Sequence, residues 1–196
     1  MPYAAGLATA LLLSGCGGPV PPAGPATAPL VAPSDSAGVA SGGTPTTRAT
    51  TTSVEVDPVV ARIPKAARPN TQAGAEAFAR FFMQQVAKAG VEADPGLIVG
   101  LYAGSCKTCQ NFTATAETFR TEGLRHTKPA LRVTSTTAYT WVDDTRVIGV
   151  HADEESVDIV NTAGNVVRQT KDGEAVFHVA LRYATHWEVI AVGVEG

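Results

Sequence analysis

Leu131-Arg132-Val133-Thr134-Ser135-Thr136-Thr137-Ala138-Tyr139-Thr140-Trp141 decides how this chain folds. Leu131, Val133, Ser135, Thr137, Tyr139 and Trp141 fall on one side of an extended backbone. Arg132, Thr134, Thr136 and Thr140 fall on the other. A period of two in β-branched and aromatic residues predicts a long strand with one face against a core. Pro129 stands just before it, and upstream of that proline the apolar spacing is helical.

Downstream, turn signals recur at Asp143-Asp144, Asp153-Glu154, Gly164-Asn165 and Asp172-Gly173. Between them the sequence predicts strands near Val147–Ala152, Ser156–Val160, Val166–Thr170, Glu174–Tyr183 and Trp187–Val194, with Asp172-Gly173 as a hairpin turn. Upstream, Ala75, Phe78, Ala79, Phe82, Val86 and Ala89 recur every three to four residues, which predicts a helix capped by Thr71 and ended by Gly90. Asp94-Pro95 reads as cap and first position of a short second helix through Leu97, Ile98 and Leu101. A third helix, about Asn111 to Glu122, buries Phe112, Ala116 and Phe119 and stops at Gly123. The expected fold is α+β: three N-terminal helices packed on a curved, cone-like antiparallel sheet of about six strands.

This order of elements, closed by Trp187-Glu188-Val189-Ile190, resembles the nuclear-transport-factor-like cone shared by SnoaL-type polyketide cyclases and ketosteroid isomerases. A narrower likeness lies in Ile63-Pro64, Thr71, Gly74-Ala75-Glu76-Ala77-Phe78, Arg80-Phe81-Phe82 and Ser105-Cys106-Lys107-Thr108-Cys109. These resemble an actinobacterial lipoprotein family of unknown function, in which a lipobox and a Pro/Thr-rich linker precede a cone-like domain with this cysteine pair. The resemblance covers about Ile63 to Gly123. It implies an envelope lipoprotein and carries no activity to transfer.

The N-terminus points the same way. Leu13-Ser14-Gly15-Cys16 closes an apolar run from Ala4 to Leu13 that is too short to span a bilayer, which needs about 20 apolar residues, and suits a signal-peptide core. Small residues before a cysteine there are what a lipoprotein signal peptidase reads, so Cys16 is the expected lipidated membrane anchor. Met1-Pro2-Tyr3 lacks the basic residue of a signal n-region, and a start upstream of Met1 is expected. From about Pro19 to Val56 the residues are mainly Pro, Ala, Thr, Ser and Gly, with no aromatic. Such a segment cannot bury enough surface to offset its conformational entropy and is expected to be a disordered linker, with a reach on the order of 30–35 Å. Its threonine runs read equally as an O-glycosylated stalk or a bare linker. The expected divisions are signal peptide over 1–15, lipidated cysteine and linker over 16–56, and the cone-like domain over 57–196. The expected location is the outer face of the cell membrane.

Cys106-x-x-Cys109 is the chemically suggestive motif of the domain. An exported domain with an even cysteine pair is expected to hold it as a disulfide that locks the turn before the third helix. A redox role would need a low-pKa thiol, which Lys107 assists only slightly, in a βαβ setting that is missing here. Zinc would need two further ligands, and no second cysteine pair or paired-histidine motif supplies them. His126, His151, His178 and His186 form no constellation and read as surface or half-buried residues, with His178 and Arg182 pointing outward from their strand.

Enzymes of the isomerase type need a carboxylate base and a hydrogen-bond donor converging in the cone. Tyr102 and Tyr139 offer donors, but no acidic residue occupies an inward strand position beside them. Asp143, Asp144, Asp153 and Glu154 cluster in turns. No serine elbow, phosphate loop or metal motif is present, so no cofactor or metal is expected and the chain does not read as an enzyme. With 15 Lys and Arg against 18 Asp and Glu, net charge −3, and no basic stripe, nucleic acid is not an expected partner.

The expected function is a lipid-anchored, non-catalytic binding module for a small apolar ligand or an envelope protein, with a pocket lined by Phe82, Tyr102, Tyr139, Trp141 and Phe177. A protein–protein interaction domain with a filled core is the alternative, and a SnoaL- or isomerase-like enzyme a further one. By analogy with cone folds, a homodimer through the sheet is also expected.

Overall fold

Asp57 accepts a hydrogen bond from the Val59 amide at 2.8 Å and, with Pro58 behind it, starts a single helical turn, α1 (Pro58–Arg62). The computed structural model describes residues 57–195. The signal-peptide, Cys16 and linker assignments lie outside them. Arg62 donates to the carbonyls of Gly96 and Val99, tying this turn to a later loop.

Thr71 caps α2 (Gln72–Glu92), its hydroxyl accepting from Gly74 N at 3.1 Å. The expected face is buried: Ala75, Phe78, Ala79, Phe82 and Ala89 all lie in the core, and Val86 is half-buried. The helix does not stop at Gly90. It runs to Glu92 and ends on Ala93, which takes the left-handed conformation at φ 51°. Gly90 serves close approach instead, since a Cβ there would stand 2.6 Å from His126 Nδ1.

The second expected helix is one 3-10 turn, Pro95–Leu97, with Asp94 accepting from Gly96 N at 2.8 Å. It cannot extend through Leu101. Gly100 reverses the chain at φ 86°, and the Leu101 carbonyl and Ala103 amide are taken by the backbone of Val189. Helix α3 (Lys107–Glu122) begins four residues before Asn111, with Cys106 as its N-cap, and ends on Gly123 at φ 65°.

Seven strands follow: β1 (Arg125–His126), β2 (Leu131–Val142), β3 (Thr145–Glu154), β4 (Asp158–Val160), β5 (Val166–Gln169), β6 (Gly173–Tyr183) and β7 (Trp187–Glu195). They form two antiparallel sheets rather than one: β2-β3-β6-β7 and β1-β4-β5. The fold is therefore α+β as expected, with the three helices preceding the strands and the sheets not closed. Asp172-Gly173 is not a hairpin turn. Strand β5 pairs with β4 while β6 pairs with β3, so the chain changes sheets there. The hairpin of the small sheet is closed by Gly164 at φ 81°, with Asn161 Oδ1 accepting from the amides of Ala163 and Asn165.

Strand β2 departs from simple alternation. Its register against β3 shifts between Val133 and Ser135 and again between Ala138 and Thr140. Each one-residue bulge flips the side chains that follow to the other face. Leu131 and Val133 share the core side with Ala152 and Glu154, their neighbours by register. Between the bulges the core side passes to Thr136 and Ala138, opposite Val150 and Ile148. Ser135, Thr137 and Tyr139 are thereby put outside, against the expectation from alternation. The second bulge restores the original sense, and Trp141 returns to the side of buried Trp187, its ring edge-on at 6.1 Å.

The main core lies between α2, α3 and the large sheet and is closely filled. Phe78, Phe82, Ile148, Val179, Leu181 and Trp187 are among its fully buried members. Trp187 Nε1 donates to Pro69 O at 2.8 Å, which satisfies the indole and pins the entry to α2. A separate small cluster of Phe119, Leu124 and Ile159 holds the small sheet.

Candidate functional site

The aromatic residues expected to line one pocket are dispersed. Phe82 is fully buried beneath α2. Tyr102 is half-buried, its hydroxyl 3.0 Å from Thr113 Oγ1 on α3. Tyr139 is on the outer face and 47% exposed, lying over Gly149, where a Cβ would come within 2.5 Å of its ring. Trp141 is 39% exposed at the sheet margin, with the Arg146 guanidinium 4.4 Å above its ring. Phe177, buried on β6, borders an open cleft. Open space borders the C-terminal half of α2, in a surface groove and in a cleft between the helices and the sheet.

On one flank, a surface groove of about 620 Å³ separates α2 from the start of β2. Gln84, Ala87, Lys88 and Val91 present one helical stripe to it, and Pro129, Leu131 and Val133 form the opposite wall. Lys128, Arg132 and Glu155 stand on the rim. Lys128 Nζ reaches Glu155 Oε2 at 2.7 Å, Arg132 pairs with Asp153 and lies 3.6 Å from Glu155, and Lys88 pairs with Glu92 at 3.5 Å. The Lys128 hydrogen bond, then its charge, holds the Glu155 carboxyl below its ordinary range.

On the other flank, an inner cleft of about 330 Å³ lies between α2, α3 and the ends of β2, β3 and β6. Met83, Val86, Phe112, Leu131 and Phe177 make its apolar walls, and Glu154, Thr170 and Lys171 its polar edge. Glu154 is exposed, as expected, but it is the last residue of β3 rather than part of a turn. A recess of about 170 Å³ continues past Val86 and Phe112 to Ala116, Phe119 and His126. Leu131 borders both the groove and the cleft.

His126 belongs to β1, not to a loop. Its ring is edge-on to Phe119 at 5.1 Å, with Nδ1 buried and without a hydrogen-bond partner. Burial, and secondarily the charge of Arg168, pushes its pKa below the ordinary histidine value. His186 is buried rather than on the surface, because the turn before β7 folds back: its carbonyl accepts from Ala184 N and its Nδ1 is 3.2 Å from Thr185 Oγ1. On the outer sheet face, Tyr139 Oη is 3.5 Å from His151 Nε2, and His178 Nε2 is 3.5 Å from Glu195 Oε2. Both contacts are at the limit of hydrogen bonding, and His151 and Glu195 border a shallow, mainly polar depression of about 370 Å³ on that outer face with Thr134, Asp153 and Glu174.

Cys106 and Cys109 are joined as a disulfide, with their Cα atoms 5.3 Å apart. The pair occupies the N-cap and first turn of α3, a helix N-terminus that the sequence pattern places further on. Thiols at that position are favoured as thiolates. Here the two residues are 1% and 0% exposed, and Cys106 Sγ accepts from Cys109 N at 3.2 Å, so the bond staples the start of α3 out of reach of another thiol.

Among the described residues no group of three or more His, Cys, Asp or Glu is arranged to hold a metal ion, and no helix is long and apolar enough to cross a membrane. Sequence reasoning misses the groove-lining residues because it reads α2 for one face. Gln84, Ala87, Lys88 and Val91 form a second stripe with the same three-to-four spacing, and Ala87 and Val91 are the signal that it is not wholly solvated.

No family model matches the chain, and no curated protein matches it. Among solved structures, it is similar to the 1.8 Å structure of Aln2 from a Streptomyces species. Identity is 15% and the TM-score 0.42, over 65% of this chain and 93% of that chain. A likeness at this level assigns neither fold nor chemistry to the chain.

Proposed function

We propose that the chain is a lipid-anchored envelope protein whose globular domain binds a small apolar ligand without transforming it. One observation carries the binding reading: an apolar-walled groove of about 620 Å³ beside α2, within the roughly 300–1,000 Å³ range of small-molecule sites. Support for the absence of catalysis comes from the distribution of titratable groups. Tyr102 is engaged with Thr113, the Tyr139–His151 pair stands on the opposite face of the sheet, and Glu154 meets neither at the cleft. The anchor rests on Leu13-Ser14-Gly15-Cys16 and the linker composition.

Mass spectrometry of the chain purified from an oxidising compartment tests both parts. Additional mass under native conditions that is lost on denaturation, and that falls in a variant with Ala87→Trp in the groove wall, is the expected result. Failure to retain any ligand or to take up an apolar dye would sink the binding reading. For the anchor, radiolabelled palmitate should enter the wild-type chain in an actinobacterial host and not the Cys16→Ser variant. Equal labelling of the two refutes it.

A further inference from the structure

We infer that the surface groove and the inner cleft are one site for a linear alkyl carboxylate, with Leu131 as the partition its chain must pass. This rests on the groove being a binding site and adds the ligand's shape, charge and direction. Leu131 is half-buried and is the residue that the walls of both cavities share. Ala87, on the groove side of α2, offers little bulk. A chain that displaces the Leu131 side chain passes between α2 and the start of β2 and reaches the cleft walls at Val86, Phe112 and Phe177. Such a path suits a flexible, unbranched tail and excludes a rigid fused-ring body.

Charge gives the direction. Of the four charged side chains lining the groove, Lys88, Lys128, Arg132 and Glu155, three are cations. At the cleft Glu154 and Lys171 offset each other. The groove cations already have carboxylate partners, but their side chains are at least half exposed, at 50%, 56% and 65%. Exposed pairs of this kind contribute little and exchange readily for another carboxylate. The acidic head therefore stays in the groove and the tail points inward, where the walls are Met83, Val86, Phe112 and Phe177.

The test is calorimetric titration of the full chain with hexanoate, dodecanoate and dodecanol, each below its aggregation threshold. Each methylene that reaches the cleft strengthens binding about fourfold, so dodecanoate should bind far more tightly than hexanoate. Leu131→Trp closes the partition and should weaken dodecanoate at least about tenfold. Val86→Trp, outside the groove wall, fills the cleft from the helix side and should weaken dodecanoate as much while leaving hexanoate within about twofold, which guards against misfolding of one variant. Both are first checked for wild-type circular dichroism. Dodecanol should bind at least about tenfold more weakly than dodecanoate, for want of a charged head. Equal affinity for the two chain lengths, or folded variants with unchanged profiles, overturns the two-cavity site while the groove survives as a ligand site. Dodecanol matching dodecanoate overturns the assigned direction. If the wild type binds none of the three, the proposal fails, and the groove itself is then judged by the native mass.

Discussion

Substituting Gly90 by alanine sets two known effects against each other at one atom. Within a helix, Gly→Ala ordinarily stabilises by about 1 kcal/mol, because alanine loses less backbone entropy on folding. At Gly90 the new methyl would lie 2.6 Å from His126 Nδ1 and 2.9 Å from its Cε1, closer than Cβ atoms come to other atoms. The imidazole cannot simply swing aside, since it is wedged edge-on against Phe119, itself buried. Overpacking of this kind costs about 1–3 kcal/mol, which cancels or outweighs the helical gain. Gly90→Ala should therefore destabilise the chain by up to about 2 kcal/mol and not stabilise it. In a His126→Ala background the clash is gone, and the same substitution should stabilise by about 1 kcal/mol. The two effects differ by at least about 1 kcal/mol, a coupling that a double-mutant cycle resolves. Urea titrations followed by tryptophan fluorescence report it, because Trp187 is fully buried. If Gly90→Ala stabilises the wild-type background as much as the His126→Ala background, the close approach of β1 to α2 is refuted.

Other outcomes follow from the same contacts. Opening the buried disulfide by Cys106→Ser with Cys109→Ser should cost about 2 kcal/mol, the loop-closure value for so short a ring, and the denatured wild-type mass should be short by two hydrogens. An intact thiol mass would contradict it. His126 has a folded-state pKa below its unfolded value, so the sign is fixed: as pH falls below about 6.5 the unfolded chain gains a proton that the folded chain refuses. Stability should drop until the folded imidazole itself protonates, and melting temperatures between pH 8 and 4 should show less of this drop in His126→Gln. An identical profile in the variant would count against a depressed pKa. Thr71→Ala should cost about 1 kcal/mol by removing the cap on α2, read by the same urea titration, while Thr71→Ser should retain most of it.

Legibility from sequence followed how local each determinant is. The α2 face, the Thr71 cap, the inward row Phe177, Val179 and Leu181, and the Asp143 turn are set by spacing and by side chains bonding their own backbone, and each was readable. The end of α2 was not, because Gly90 looks like a terminator and is needed for a partner 36 positions along the chain. The false helix through Leu101 failed for a related reason: Leu101 and Ala103 are committed to Val189, a pairing that no local pattern announces. Alternation in β2 misplaced Tyr139 because bulges carry almost no sequence signal among threonines, so two compensating shifts were invisible. The candidate site was the least legible part. It depends on where packing stops, and residues such as Ala87 and Leu131 look the same in sequence whether they fill a core or wall a cavity.

The paired bulges of β2 bear on how copies of this chain meet one another. Strand β2 is 12 residues long and forms one border of the large sheet. A regular strand of that length would offer a template on which an extended segment of another molecule could add, and then another after it. Shifts at two points break the run of evenly spaced donors and acceptors that such growth requires, and they twist the border locally. Crowded together, these domains thus find that border a poor template for adding one copy to the next.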